Sequence, residues 1–279
     1  MRAILGKIQK KLGTAVYYLL HPSTYPFLWR FLKTKIFGGS LSLDDTREES
    51  TRWCHKQAVD TSEAIQEITG LPNSLVSIRH VFREIFDQAE MRVAACPQKM
   101  GGAGNLDLLY VIAQRLGAKR VIETGVAYGW SSLAILLAIS THSEAKLVST
   151  NLHYSQYNDD SYVGCAVPDE LRSCWTIIRE ADLTALPKAL SMLPEYDLCH
   201  YDSNKNHAGR IWAYPLLWRA LRVGGYFISD DVGDNLAFAH FCRMVRHKPL
   251  IVKIPSSTGD KFVGILLKTD NLQPRDIMF

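Results

Sequence analysis

The sequence predicts an α/β fold in which a mostly parallel sheet ends in an antiparallel hairpin and helices precede it. Three observations carry this. From residue 119 onward, short apolar runs alternate with helical patterns, as chains of βαβ units do. The last two runs, LIVKI and FVGILLK, are separated only by PSSTGDK, too short for a helical crossover, so they pair antiparallel. Before residue 117 the apolar periodicity is helical only.

Taken in order, residues 1–43 form a basic amphipathic arm. They hold seven bases and no acid, whereas the remainder carries 25 bases against 28 acids, so the net charge of +4 belongs to the arm. Ile4, Ile8, Leu12, Val16 and Leu19 recur at near-helical spacing, and FLWRFLKTKIF mixes aromatic and basic residues as a membrane interface would favour. Its apolar run Ala15–Leu20 is too short to span a bilayer or to form a signal-peptide core. Packing on the body or on a second subunit, and peripheral membrane contact, both remain open. No basic stripe elsewhere suggests nucleic acid.

Residues 44–117 read as a helical lid or substrate region. A polar linker or surface segment over 44–60 is followed by a helix at Thr61–Thr69, a longer one at Leu75–Ala95, a glycine loop at Gly101–Gly104 and a helix at Leu106–Leu116. Residues 118–279 are the ligand-binding body. Strands are expected at 119–124, 146–151, 175–179, 196–202, 225–230, 250–254 and 262–268, with helices at 130–141, 168–173, 184–193, 208–222 and 235–247. The six cysteines are scattered, with no C-x-x-C and no zinc-like spacing, which reads as reduced thiols in a cytoplasmic protein.

Within this body, RVIETGVAYGWSSL is the most informative stretch. Val121 and Ile122 form a buried strand, Glu123 stands where it emerges, and Gly125 and Gly129 bracket a tight loop. Ser131 and Ser132 then open an apolar helix. Such a turn offers backbone N–H groups and a positive helix end to an anion, with a carboxylate alongside. S-adenosylmethionine (SAM), a zwitterion joined to a nucleoside, matches both; taken alone, the loop also suits another nucleotide or a purely structural strand–helix turn. A dinucleotide fingerprint would need glycine where Ala127 stands, and a P-loop would need Gly-Lys-Ser/Thr where Trp130 follows Gly129.

Two acidic clusters fall at later strand ends. YDLCHYDSNKNHAGR carries Asp202, Lys205 and His207; LRVGGYFISDDVGDN carries Asp230 and Asp231. Carboxyl ends of strands line the ligand crevice of an open α/β sheet, so these acids should converge near Glu123. Several carboxylates in one place repel unless a cation or a proton sits between them, and oxygen ligands favour a hard ion such as Mg²⁺.

The chain resembles class I SAM-dependent methyltransferases, specifically the metal-dependent catechol and caffeoyl-coenzyme A O-methyltransferase type and its bacterial natural-product relatives. The resemblance covers roughly residues 98–268. It implies a Rossmann-like sheet, with ETGVAYGWS under SAM: Glu123 and Gly125 below the methionine moiety and Ser131 on its carboxylate. Ala127, Tyr128 and Gly129 complete that loop. It further implies Asp202 as a metal ligand near the sulfonium, Lys205 as base, and Asp230 and Asp231 as the remaining metal ligands. His207 is the alternative base. At the end of the second strand of this body the family has an acid for the ribose hydroxyls, whereas this chain has Asn151, with Asp159 or Asp160 as substitutes; Asp182 is the adenine-side residue.

The implied function is divalent-metal-assisted O-methylation of a small-molecule, natural-product or sugar hydroxyl. A non-catalytic SAM-binding or interaction protein, and a NAD(P)-dependent oxidoreductase, are the competing classes. Dimerisation through the lid and arm is compatible with either outcome.

Overall fold

The computed structural model describes residues 46–71, 76–97, 99–153, 161–256 and 259–271; the basic arm and the acids Asp159 and Asp160 lie outside the described residues. Within them, β1 (Ala58–Val59), β2 (Arg120–Thr124), β3 (Lys146–Thr150), β4 (Trp175–Ile178), β5 (Tyr196–Tyr201), β6 (Leu221–Ser229), β7 (Leu250–Ile254) and β8 (Lys261–Leu267) form one sheet in the order β1-β7-β8-β6-β5-β2-β3-β4. All neighbours are parallel except β8, which runs antiparallel to β6 and β7. Chain order reverses at β2, with β3 on one side and β5 on the other. A crevice forms at such a switch point.

The helices are α1 (Thr46–His55), α2 (Thr61–Thr69), α3 (Ile78–Val81), α4 (Arg83–Ala94), α5 (Leu106–Leu116), α6 (Trp130–Ile139), α7 (Asp182–Met192), α8 (His207–Ala220) and α9 (Ala237–Val245). Local chemistry sets several of their ends. Asp60 and Glu63 form a reciprocal capping box at the start of α2, and Asn105 caps α5, which stops at Gly117 in the left-handed conformation.

Alternation along the strands splits the core into two faces. Val121, Leu147, Leu198 and Ile228 pack with α2, α4, α5 and α6, whereas Ile122, Val148, Cys199 and Phe227 pack with α7, α8 and α9. Helix α6 is buried on nearly every side. The free thiol of Cys199, in this packing, behaves as a small apolar group, and burial pushes its pKa up.

Four sequence expectations are corrected. The stretch expected as a polar linker contains α1 and β1. Helix α1 is fastened by polar contacts: Ser50 Oγ, fully buried, donates to the carbonyls of Val232 and Asn235 at 2.9 Å each. The helix expected over 75–95 is interrupted at Phe82, whose ψ of 41° leaves the helical region. The 168–173 segment is a 3₁₀ turn at Asp169–Cys174. Gly224 and Gly225 lie inside β6, which begins at Leu221, and its pairing with β5 shifts register between Tyr196 and Leu198. Gly225 fits because a Cβ there would stand 2.6 Å from the Asp197 carbonyl oxygen. Among the described residues no helix is long and apolar enough to cross a membrane.

Candidate functional site

The strand ladder continues one residue past each carboxyl end, which sets the site residues in a row. Asn151 N–H donates to Ile178 O at 3.0 Å, Gly125 N–H to Thr150 O at 2.8 Å, Asp202 N–H to Thr124 O at 2.9 Å and Asp230 N–H to Tyr201 O at 3.0 Å. Above them opens a cleft of about 1210 Å³, walled by Gly101–Gly104, Gly125–Ala127, Trp130–Ser131, Asn151–His153, Ala181–Leu183 and Asp202–Gly209.

At the β2 end, the loop is held from beneath. Gly125 has φ 83°, and a Cβ on it would stand 2.4 Å from Asp202 O, so only glycine fits between the two strand ends. Ala127 also has a positive φ, 49°, and here the turn is stabilised from outside. Asn151 Oδ1 accepts from Val126 N–H at 2.9 Å and Ala127 N–H at 3.2 Å, while its Nδ2 donates to Leu152 O. The Asn151 carbonyl thus supports the loop, and the residue itself lines the cleft. Gly129, at φ 86°, packs against Gly164, and Tyr128 Oη accepts from Met100 N–H at 3.0 Å. Neither residue lines the cleft.

Glu123 lies deeper still. Fully buried, it accepts from Ser131 Oγ at 2.7 Å, Ser132 Oγ at 2.6 Å and Ser149 Oγ at 2.7 Å. Burial alone would raise its pKa, but His200 and the Ser131 and Ser132 hydroxyls outweigh it and hold the carboxyl below its ordinary range. Ser131 itself lines the cleft, yet its hydroxyl is committed to Glu123. What remains for a ligand's carboxylate is the first turn of α6, which starts at Gly129 without a side-chain cap.

His200 is a site residue the sequence reading missed. It is 1% exposed, with Nδ1 3.6 Å from Glu123 Oε1 and Nε2 3.6 Å from Asp230 Oδ1. Both gaps are too long for hydrogen bonds, so the attraction is between charges. Burial works against the imidazolium, but the two carboxylates prevail and raise the pKa to about 10.

Lys205 plays the same part at the cleft surface. Its ammonium is 2.9 Å from Asp202 Oδ1 and pairs directly with Asp231 Oδ2. Burial opposes the charge, but Asp202 and Asp231 hold the pKa above the ordinary lysine value. Asp202 moves up to about 6, through burial first and the neighbouring Asp230 second, against the pull of Lys205 and His200. Asp230 is held low: burial would raise it, and His200 and Lys205 bring it down.

Behind the acids, Arg210 is 1% exposed and forks onto two backbone oxygens, Asp231 O and Asp230 O, at 3.0 Å each. Asp231 is thereby pinned in the left-handed region at φ 52°.

His207 opens α8 and lines the cleft; Nε2 is 3.3 Å from His240 Nδ1. Burial, then His240 and Arg210, lowers its pKa. Asp182 is at the floor, accepting from Ser203 Oγ at 2.7 Å, and burial raises its pKa against the Ser203 and Tyr201 hydroxyls.

SAM fits this construction. The cleft is large enough and part apolar, its near wall is bare glycine backbone, and an uncapped helix end faces it. A divalent ion does not fit the acids as they stand. The space between Asp202 and Asp231 holds an ammonium, and Asp230 faces an imidazolium. Among the described residues no three His, Cys, Asp or Glu side chains are grouped to hold a metal.

Residues 122–232 match a protein-family profile described as a methyltransferase domain. The fold is that of class I SAM-dependent methyltransferases. Among solved structures, the O-methyltransferase from Bacillus cereus, in complex with S-adenosylhomocysteine (SAH), aligns with 77% of this chain and 100% of its own at 14% identity and a TM-score of 0.51. A provisionally named O-methyltransferase from Klebsiella pneumoniae aligns with 78% of this chain and 100% of its own at 13% identity and a TM-score of 0.53. No curated protein matches the chain in sequence.

Proposed function

We propose that this protein is a SAM-dependent O-methyltransferase acting on the hydroxyl of a small molecule, natural product or sugar. The observation that carries the reading is the meeting, in one cleft, of a glycine-walled SAM-type loop with His207 and the Lys205–Asp202 pair. The O-methyltransferase identity of the structural neighbours supports it.

When bound, SAM supplies a methyl carbon whose bond to sulfur breaks, the pair staying on sulfur, as the acceptor oxygen bonds to that carbon. The chain's own residues do the rest. Glu123, Ser131, Ser132 and Asn151 hold the loop that positions the donor. Asp182 lines the cleft and holds the Ser203 hydroxyl. His207 takes the acceptor proton. In the tautomer where Nε2–H donates to His240 Nδ1, Nδ1 is the basic nitrogen, and a pKa below the usual value of about 6.5 leaves it unprotonated at neutral pH. Lys205, already protonated and doubly paired, is a poor base and a good cation. Residues 44–117 contribute Arg47 and the Gly101–Gly104 wall, and we assign acceptor selection to that region.

Calorimetric titration with SAH tests the reading. Micromolar binding is expected, and absence of binding to the folded protein overturns it. With an acceptor found by screening, His207→Ala should lower turnover by about 10²–10⁴-fold, the usual worth of a general base. The wild-type rate should fall as pH drops below the ordinary histidine range, because protonation removes the base. SAH binding without transfer to any hydroxyl acceptor would favour the interaction reading instead.

A further inference from the structure

We infer that the ammonium of Lys205 takes the place a divalent cation would hold at these strand ends, so that the cleft takes up no metal and the acceptor oxygen meets a fixed protein cation instead. The inference rests on the methyl-transfer reading for the acceptor's presence, but not for the exclusion of metal.

The argument is one of charge and space. Four carboxylates gather where β2, β5 and β6 end: Glu123, Asp202, Asp230 and Asp231. Each has a basic side chain beside it. His200 stands 3.6 Å from Glu123 and 3.6 Å from Asp230, while Lys205 bridges Asp202 and Asp231. A divalent ion entering between Asp202 and Asp231 would have to expel the ammonium or sit against it, and like charges at contact distance in a half-buried site are strongly unfavourable.

The backbone that carries the ammonium is also held in place. Asn235 Nδ2 donates to Lys205 O at 2.8 Å, and the neighbouring Asn206 caps α8 through Gly209 N–H at 2.7 Å. The ammonium donates to Asp231 and stands 2.9 Å from Asp202 Oδ1, and Lys205 lines the cleft, so its charge faces a ligand there. A pre-set donor of this kind steadies negative charge on the acceptor oxygen while His207 removes its proton, at no cost of rearrangement.

The test is calorimetric titration of SAH-saturated protein with Mg²⁺ and with Mn²⁺, in wild type, Lys205→Met and Lys205→Arg. Wild type and Lys205→Arg should show no saturable heat up to millimolar ion, whereas Lys205→Met, checked as folded by circular dichroism, should gain a saturable Mn²⁺ isotherm. Saturable binding by wild type overturns the inference. So does a folded Lys205→Met that takes up no Mn²⁺, because the ammonium is then not what keeps the ion out. Failure of SAH to bind in a first titration sinks the methyl-transfer reading alone, and the same metal titrations on the unliganded protein still decide the inference.

Discussion

The two carboxylate centres of the cleft lie one strand apart and are built in opposite ways. Glu123, at the end of β2, is sealed under its loop and satisfied by three serine hydroxyls. Asp202, beyond β5, lines the cleft, and it shares one ammonium with Asp231, beyond β6. Hydroxyls hold a carboxylate in a fixed place without cancelling its charge, and a cation cancels the charge while leaving it close to solvent. The first arrangement suits a scaffold beneath a ligand; the second suits electrostatics beside one. His200 joins the two, facing Glu123 with one nitrogen and Asp230 with the other.

Three substitutions would sharpen or break this contrast. The largest effect is expected for Glu123→Ala. It strands His200 as a buried cation short of one partner and leaves the hydroxyls of Ser131, Ser132 and Ser149 without their shared acceptor. Breaking a buried ion pair typically costs about 3–5 kcal/mol, so denaturant unfolding should show a loss of that order. A loss under about 1 kcal/mol, the scale of a surface pair, would mean that Glu123 is no scaffold.

A smaller loss is expected for Asn151→Ala, which deprives Val126 and Ala127 of their N–H acceptor. Only the Val126 bond is buried, and one buried group left unsatisfied costs about 1–3 kcal/mol; SAH affinity should weaken together with stability because the loop at Ala127 relaxes. Weaker SAH binding at unchanged stability would mean that Asn151 acts on the ligand and not on the loop.

The smallest stability change belongs to Asp231→Asn. Lys205 is half-exposed and keeps Asp202, so unfolding should shift by no more than about 1 kcal/mol. Turnover should nevertheless change, since the ammonium loses one of its two anchors. A large loss of stability would place Asp231 with Glu123 as scaffold and dissolve the contrast.

Most of the sheet was legible because buried parallel strands carry apolar runs, and β2 to β8 fall close to their expected places. The hairpin followed from connection length alone. Helix α1 was not legible: its anchor is the Ser50 hydroxyl, and a hydrogen bond leaves no hydrophobic period in the chain. Nor was the start of β6, where Gly224 and Gly225 mark an irregularity inside a strand and not a turn before it.

In the site, the order of motifs placed Gly125, Asp202, Lys205 and Asp230 around one crevice. What the sequence could not show is which partner each takes. Asn151 reads as a ligand group, and the sequence does not show that its carbonyl also holds Val126 N–H and Ala127 N–H. His200 hid in the apolar run YDLCHY, although it stands two residues before Asp202 and hence on the same face of β5, the signal that would have found it.

Arg210 has a consequence for motion. Its guanidinium, rooted in α8, grips the backbone at Asp230 and Asp231, and the same helix begins with His207. Helix and turn therefore travel as one piece. If the cleft widens or narrows by a shift of α8, the spacing between the basic nitrogen and the acidic turn is carried along unchanged, like two jaws of a tool fixed to a single handle.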